Sequence, residues 1–457
     1  MATSDRCVGA LTALLLVLGL GASMAFASDS SSPAAVAADE GSEESAKKPP
    51  EDNGEEQKKD EPKEHEDHYL AIVGGLVHPS GGEILEGVTI LCKNDRIVAM
   101  GPHVTIPEDA ETIDATGYHV YPGLIGIDTR RLVGGRSSTD VFSMNVTLAL
   151  AAGLTTVVNG SSVLKLTFGT LEGHELKTGT FEGIDYSTRD PGRRKRFRDS
   201  LERIVQYRRE VEAYEEEKRT NPEAKKPDDK WIRGDYAKAK RLMDREVPGL
   251  ATVQTSEDII ALTGLAKQYG FELILRGARE GYIVAGDIAR SGAACIVSPR
   301  DRADRDPERM RPNGASPENA RILYEHGVPI VITPQQSGIS LMGVAGRDLA
   351  HLPMEAAFAV RGGLPEEAAI DAITIEPARL LRVDHRVGSI AVGKDADFAI
   401  TDGDLLHYMT LVRWTVVNGE IAYDKAKDSL YDHIRPNGDR DAPPPDDHWP
   451  RRLGEDW

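Results

Sequence analysis

The chain has 457 residues, a formal net charge of -19 and a hydrophobic share of 40%. That length accommodates a large domain plus a smaller one. The acidic balance excludes nucleic acid as the main partner, because binding a polyanion needs a basic surface. An apolar run from Val8 to Leu20, followed by Ala25-Phe26-Ala27, reads as a secretory signal over residues 1–27. An uncleaved membrane anchor is the alternative reading of the same segment, so a membrane enters only in that case. Residues 28–67 are rich in Ser, Pro, Glu, Asp and Lys and nearly lack aliphatic bulk, so they read as a disordered acidic linker. An exported protein, periplasmic or secreted, is the expected location.

From Tyr69 the pattern changes to strands and turns. Tyr69–Val77 reads as strand and turn, and Val88–Met100 as a hairpin turning at Lys93–Asp95. Gly388–Ile400 and Thr415–Tyr423 repeat this texture near the other end. Residues 68–120 plus 387–425 are therefore expected to build one composite β-domain. Between them strand-like runs (154–158, 250–253, 271–275, 294–297, 329–333) alternate with helical ones (257–269, 317–326, 353–361, 365–373). Such alternation predicts a parallel α/β domain over 121–386. Ser256 and Ser316 suit helix N-caps, and Gly270 and Gly327 suit helix ends. Residues 189–248 are a highly charged block in which Ile204, Tyr207, Val211 and Tyr214 recur at helical spacing. It is expected to be a helical insertion that either packs on its own domain or presents a surface to a partner. Residues 426–457 read as an irregular tail. Cys92 and Cys295 are either two buried thiols or a disulfide.

Tyr121-Pro-Gly-Leu-Ile-Gly-Ile-Asp-Thr-Arg-Arg131 resembles the first barrel strand of the amidohydrolase superfamily, Pro-Gly-Leu-Ile-Asp-x-His-x-His. Gly153-Leu-Thr-Thr-Val157, Glu376-Pro-Ala-Arg-Leu-Leu381 and the Gly393-Lys-Asp-Ala-Asp397 run are also similar to that superfamily, within its exported, imidazolonepropionase-like branch. The resemblance covers roughly residues 69–425. It implies a TIM-like (β/α)8 barrel with a small composite β-sandwich, and hydrolysis of C–N bonds. It also implies one or two divalent metals, usually zinc, that lower the pKa of a bound water.

The same alignment places unsuitable residues where the superfamily has metal ligands. Asp128 and Arg130 stand for the histidines of the first strand, Asp185 for a lysine, Thr252 and Gln254 for a His-x-His pair, Gly277 for a histidine, and Gln335 for the last aspartate. An arginine has no acceptor lone pair and cannot ligate a metal. The expectation is a protein without cofactor and without catalytic residues. It would bind a small anionic ligand, or stabilise a catalytic paralogue subunit or a second copy of itself. An altered but active C–N hydrolase, and a surface interaction protein using 189–248, are the alternatives. Candidates for a rebuilt metal site are Asp128, Asp185, Glu280, His174, Glu175, Asp348 and His351, with Asp348 also suited to cap the helix at Leu349. Arg130, Arg131, Arg136, Arg276 and Arg279 should converge on the barrel mouth, where they either bind an anion bidentately or pair internally with the nearby carboxylates.

Overall fold

A computed structural model describes residues 67–129, 132–133, 140–300, 314–336, 338–339 and 347–428, together with the backbone of 305–306 and 311–312. The described residues all belong to one unit, residues 65–457. The signal, nearly all of the linker and the tail beyond Asp428 lie outside the described residues, as do Arg130, Arg131 and Arg136. Among the described residues no helix is long and apolar enough to cross a membrane.

The N-terminal flank supplies β1 (Tyr69–Val73), β2 (Leu76–Val77), β3 (Thr89–Lys93), β4 (Arg96–Gly101), β5 (Glu111–Asp114) and β6 (His119–Pro122). The predicted hairpin is β3–β4, and Lys93 pairs with Arg96 across a turn that holds Asn94 at φ 52°. Strands β4-β3-β1-β5 form one sheet. The second sheet is composite, because β2 and β6 pair with C-terminal strands β18 (Phe398–Thr401), β19 (Val412–Val417) and β20 (Glu420–Asp424) in the order β2-β6-β18-β19-β20. Leu70, Ile90 and Ile97 of the first sheet share one apolar cluster with Val120, Phe398 and Val416 of the second.

The α/β body starts with β7 (Leu124–Thr129), α1 (Met144–Ala151) and β8 (Leu154–Asn159), which pairs parallel to β7. Their nearly continuous burial fits strands covered on both faces. The hairpin β9 (Ser162–Lys165) and β10 (Glu175–Lys177) follows, and β9 runs antiparallel on the far edge of β8. Next come β11 (Glu182–Ile184), α2 (Pro191–Thr220), α3 (Asp235–Met243), β12 (Gly249–Val253), α4 (Ser256–Tyr269) and β13 (Leu273–Gly277). They are followed by α5 (Ala285–Ser291), β14 (Ala294–Val297), the short ribbon β15 (Arg305–Asp306) and β16 (Arg311–Pro312), α6 (Asn319–Glu325) and β17 (Ile330–Ile332). Strands β11-β12-β13-β14-β17 form one parallel sheet. Helices α7 (Leu352–Arg361), α8 (Glu366–Asp371) and α9 (Ile375–Leu380) complete the body.

The expected closed (β/α)8 barrel is not what the hydrogen bonds make. Among the described residues the parallel strands form two ladders rather than one ring. Hairpin strand β9 occupies the edge of β8 that β11 would need. At the other junction β7 and β17 both bond to the short segment after α8, with Ile125 N donating to Ile373 O (2.9 Å) and Ile332 N to Ala372 O (3.0 Å).

Local signals were close but shifted. The N-cap of α4 is Thr255, whose hydroxyl accepts from Asp258 N, rather than Ser256, while Gly270 ends the helix at φ 74° as expected. The predicted cap Ser316 precedes α6, whose N-cap is Glu318. Block 189–248 forms α2 and α3, with Asp190 accepting from Gly192 N and Arg193 N at the start of α2. Ile204 and Tyr207 are buried, and Trp231 packs edge-on against Tyr207. Both cysteines are free and buried, which removes the disulfide alternative.

The hairpin is tied to the flank domain by ions. Lys165 Nζ is fully buried and lies 2.5 Å from Asp395 Oδ2, 3.0 Å from Asp397 Oδ2 and 2.5 Å from Asn418 Oδ1. Arg96 and Arg386 close on Asp395 from the other side at 2.7 and 2.8 Å. Burial pushes the Asp397 carboxyl above its ordinary range, and Lys165 opposes that rise. Removing one partner of such a network leaves an uncompensated buried charge. Lys165→Met is therefore expected to lower stability by about 3–5 kcal/mol in urea denaturation; a change under about 1 kcal/mol would contradict the assignment.

A second polar cluster lies in the flank sheet, between the residue after β2 and strand β6. His78 Nε2 lies 3.0 Å from His119 Nδ1, and the Tyr121 ring stacks on His78 with centroids 4.2 Å apart. Burial, and then the neighbouring His119, push His78 down to about 4, with Asp404 opposing. An unfolded histidine titrates near 6.5, so the neutral ring's full contribution is present above about pH 6.5 and is lost as pH falls toward 4. His78→Gln should flatten that part of the stability–pH curve relative to the wild type, and parallel curves would refute the role.

Candidate functional site

A cavity of about 680 Å³ opens where the C-terminal ends of β7, β8, β11, β12 and β13 meet. Its mouth carries Asp128, Asn159, Asp185, Arg193, Thr252 and Arg276, and its interior is lined by Phe181, Leu250, Ile274, Ile296, Leu380 and Leu381. The polar end follows from chain geometry, since strand ends and the connections after them lie at one face of a βα assembly.

Arg276 is the centre of this mouth. Its Nη1 donates to Asp128 Oδ1 at 3.2 Å, and its Nε and Nη2 donate to Thr252 Oγ1 at 3.0 and 2.7 Å. The sequence left Arg276 to choose between internal pairing and anion binding, and the geometry makes the internal pair with Asp128. Asp185 sits at the end of β11, where Arg193 Nη1 donates to it at 3.0 Å. Arg193 belongs to the charged block expected to be a helical insertion and is not among the expected site residues. The signal was present: Asp190 caps α2, so the first-turn residue Arg193 must return next to the strand end that precedes it.

The remaining predicted positions divide. Gln254 and Gly277 touch each other: a Cβ on Gly277 would lie 2.4 Å from Gln254 Nε2, and Gly277 holds φ 94°, a conformation that disfavours side chains. Gln254 Oε1 is buried without a hydrogen-bond partner. Gln335 lies elsewhere, between Arg300 O (3.4 Å) and Arg347 Nη1 (3.2 Å), and does not line the cavity. Arg279 is half-buried past β13 and is not among the residues that line the cavity. Glu280 is buried and accepts from Ser256 N and Oγ at 2.8 and 2.9 Å, so it caps the start of α4. His174 is buried in the loop before β10, where its carbonyl accepts from Lys165 N, and Glu175 begins β10 at an exposed position. Asp348 makes no side-chain bond to its own helix start; it binds His351 Nδ1 at 2.7 Å instead.

A divalent metal of the hydrolytic kind needs several imidazole, thiolate or carboxylate donors around one point. The mouth offers Asp128 already bound by a cation, a threonine hydroxyl and Asp185 on a separate ion pair. Among the described residues no group of three or more His, Cys, Asp or Glu could hold a metal ion. These donors do not fit the metal centre that the fold implies.

Comparison with known proteins shows what parts of the chain are similar to. Residues 311–431 match the model of the amidohydrolase family. A segment is 28% identical over 134 residues to the amidohydrolase tasK of Hapsidospora irregularis, covering 28% of this chain and 13% of that protein. Another is 37% identical over 68 residues to N-acetylglucosamine-6-phosphate deacetylase of Danio rerio, covering 15% and 16%. The chain thus spans less than a fifth of the length of either relative. An amidohydrolase structure from Thermotoga maritima MSB8 shares the fold, with a TM-score of 0.60 and 21% identity over 78% of this chain and 100% of that one.

Gly277→Ala is expected to cost about 1–3 kcal/mol in a denaturant titration, from the left-handed backbone and the collision with Gln254. An unchanged midpoint would show that Gln254 moves aside freely. The likeness is thus to the amidohydrolase family over residues 311–431 and, in fold alone, to an amidohydrolase structure.

Proposed function

We propose that this protein is a ligand-binding amidohydrolase relative in which a fixed guanidinium takes the place of the catalytic metal. The observation that carries the reading is Arg276, which spans Asp128 and Thr252 at the point where three strand ends meet. Three of its N–H groups are engaged by these two residues, and a guanidinium has five. The two left, on Nη1 and Nη2, have no partner among the described residues and line an open cavity, so they suit the two oxygens of an anion.

Export and tethering through residues 1–67, a homo-oligomer or catalytic paralogue as partner, and a place in the imidazolonepropionase-like branch belong to the same proposal. So does the reading of the two flank sheets as a small β-sandwich. A second reading, a hydrolase of non-peptide C–N bonds with an altered site, draws support from the family match over 311–431 and from the deacetylase and amidohydrolase named above.

Two measurements separate these readings. Protein purified without chelator should hold well under one equivalent of zinc, iron or manganese; stoichiometric metal that is lost in Asp128→Ala would favour the hydrolase. In a thermal-shift series, acetate should raise the midpoint of the wild type more than chloride does. That difference should vanish in Arg276→Ala, and equal shifts in both proteins would refute the anion site.

A further inference from the structure

The cavity has two chemically different ends, and the difference has a structural origin. Because β9 covers the edge of β8, strand β11 has no paired strand on that side among the described residues. A seam remains between the two ladders, laced where Thr180 N and Oγ1 donate to Ser161 O at 3.0 and 2.9 Å. The cavity enters the body along this seam, between Asn159–Gly160 at the end of β8 and Phe181–Tyr186 around β11. Gly183 lies in that wall, and a Cβ built on it meets no atom within 4 Å. Inside, Leu250, Ile274, Ile296, Leu380 and Leu381 offer no hydrogen-bonding groups, so a polyhydroxylated ligand would leave its polar atoms unpaired there.

At the mouth the charges nearly cancel. Arg276 faces Asp128, and Arg193 faces both Asp185 and Asp190. A dianion such as phosphate would add two uncompensated charges to a partly enclosed space, whereas a monoanion adds one. A planar carboxylate also matches the two remaining N–H groups of Arg276.

We propose that the site takes an amphipathic monocarboxylate, with its carboxylate on Arg276 and its apolar body in the seam between β8 and β11. This rests on the reading of Arg276 as an anion-binding group. No covalent step is involved.

Calorimetric titration of the full chain with butanoate, hexanoate, octanoate and 3-phenylpropanoate tests it, with 1-octanol as the uncharged control. Affinity should rise about fourfold for each added methylene until the seam is filled. Octanoate should bind about tenfold or more tighter than 1-octanol in the wild type, and about equally in Arg276→Gln. Tighter 3-phenylpropanoate than octanoate would identify an aromatic body, and the reverse a linear one, within the same class. A side chain at Gly183 starts in open space beside the seam, so Gly183→Leu should weaken octanoate about tenfold or more while leaving the melting temperature near that of the wild type. If the three alkanoates bind equally and each is lost in Arg276→Gln, the anion site stands and the seam assignment falls. If octanoate binds tightly but ignores Arg276→Gln, the carboxylate assignment falls. If no member of the series binds, both fall.

Discussion

A lysine with no access to water holds the two halves of this fold in register. Lys165 ends the first strand of a hairpin in the α/β body, and its partners Asp395, Asp397 and Asn418 belong to the C-terminal part of the flank domain. A buried ammonium is tolerated only when carboxylates and amide oxygens replace its hydration. The carboxylates in turn need further cations, which Arg96 and Arg386 bring from two other segments. Sites more than 200 residues apart in the chain thus constrain one another through a single charge.

The position of that hairpin decides the shape of the body. With Lys165 anchored, β9 stays on the edge of β8 and prevents β11 from pairing there. The sheet opens instead of closing, and the cavity follows the opening inward. On the opposite side the closure is also incomplete, made by two backbone hydrogen bonds to Ala372 and Ile373. The polar mouth therefore sits above an apolar slot, an arrangement suited to a ligand with one charged end.

Fold class was legible because the alternation of apolar strands and capped helices is a local property, written within windows of about 11–18 residues. Both ends of the chain shared a β texture, and they do share a sheet. The cap assignments slipped by one or two positions because Thr255 and Ser256 are chemically equivalent as caps, and only the buried Glu280 carboxylate, which binds Ser256, distinguishes them. The Gly393-Lys-Asp-Ala-Asp397 run was recognisable as a family signature, but its physical meaning was not: nothing near it in sequence announces that Lys165 is its counter-ion.

The sequence by itself determined that Thr252, Gln254 and Gly277 cannot supply imidazoles wherever they point. Of the arginines that it led one to expect at the strand ends, Arg276 lines the cavity. Only the tertiary structure decided which of these groups meet. It joined Arg276 to Asp128 and brought Arg193 from α2 to Asp185, and it set Gln335 and Arg279 apart from the cavity. The reason is that ion pairing depends on distances of a few ångströms between side chains carried by different elements. Those distances are fixed by strand register and helix entry angle, which no local stretch of sequence contains.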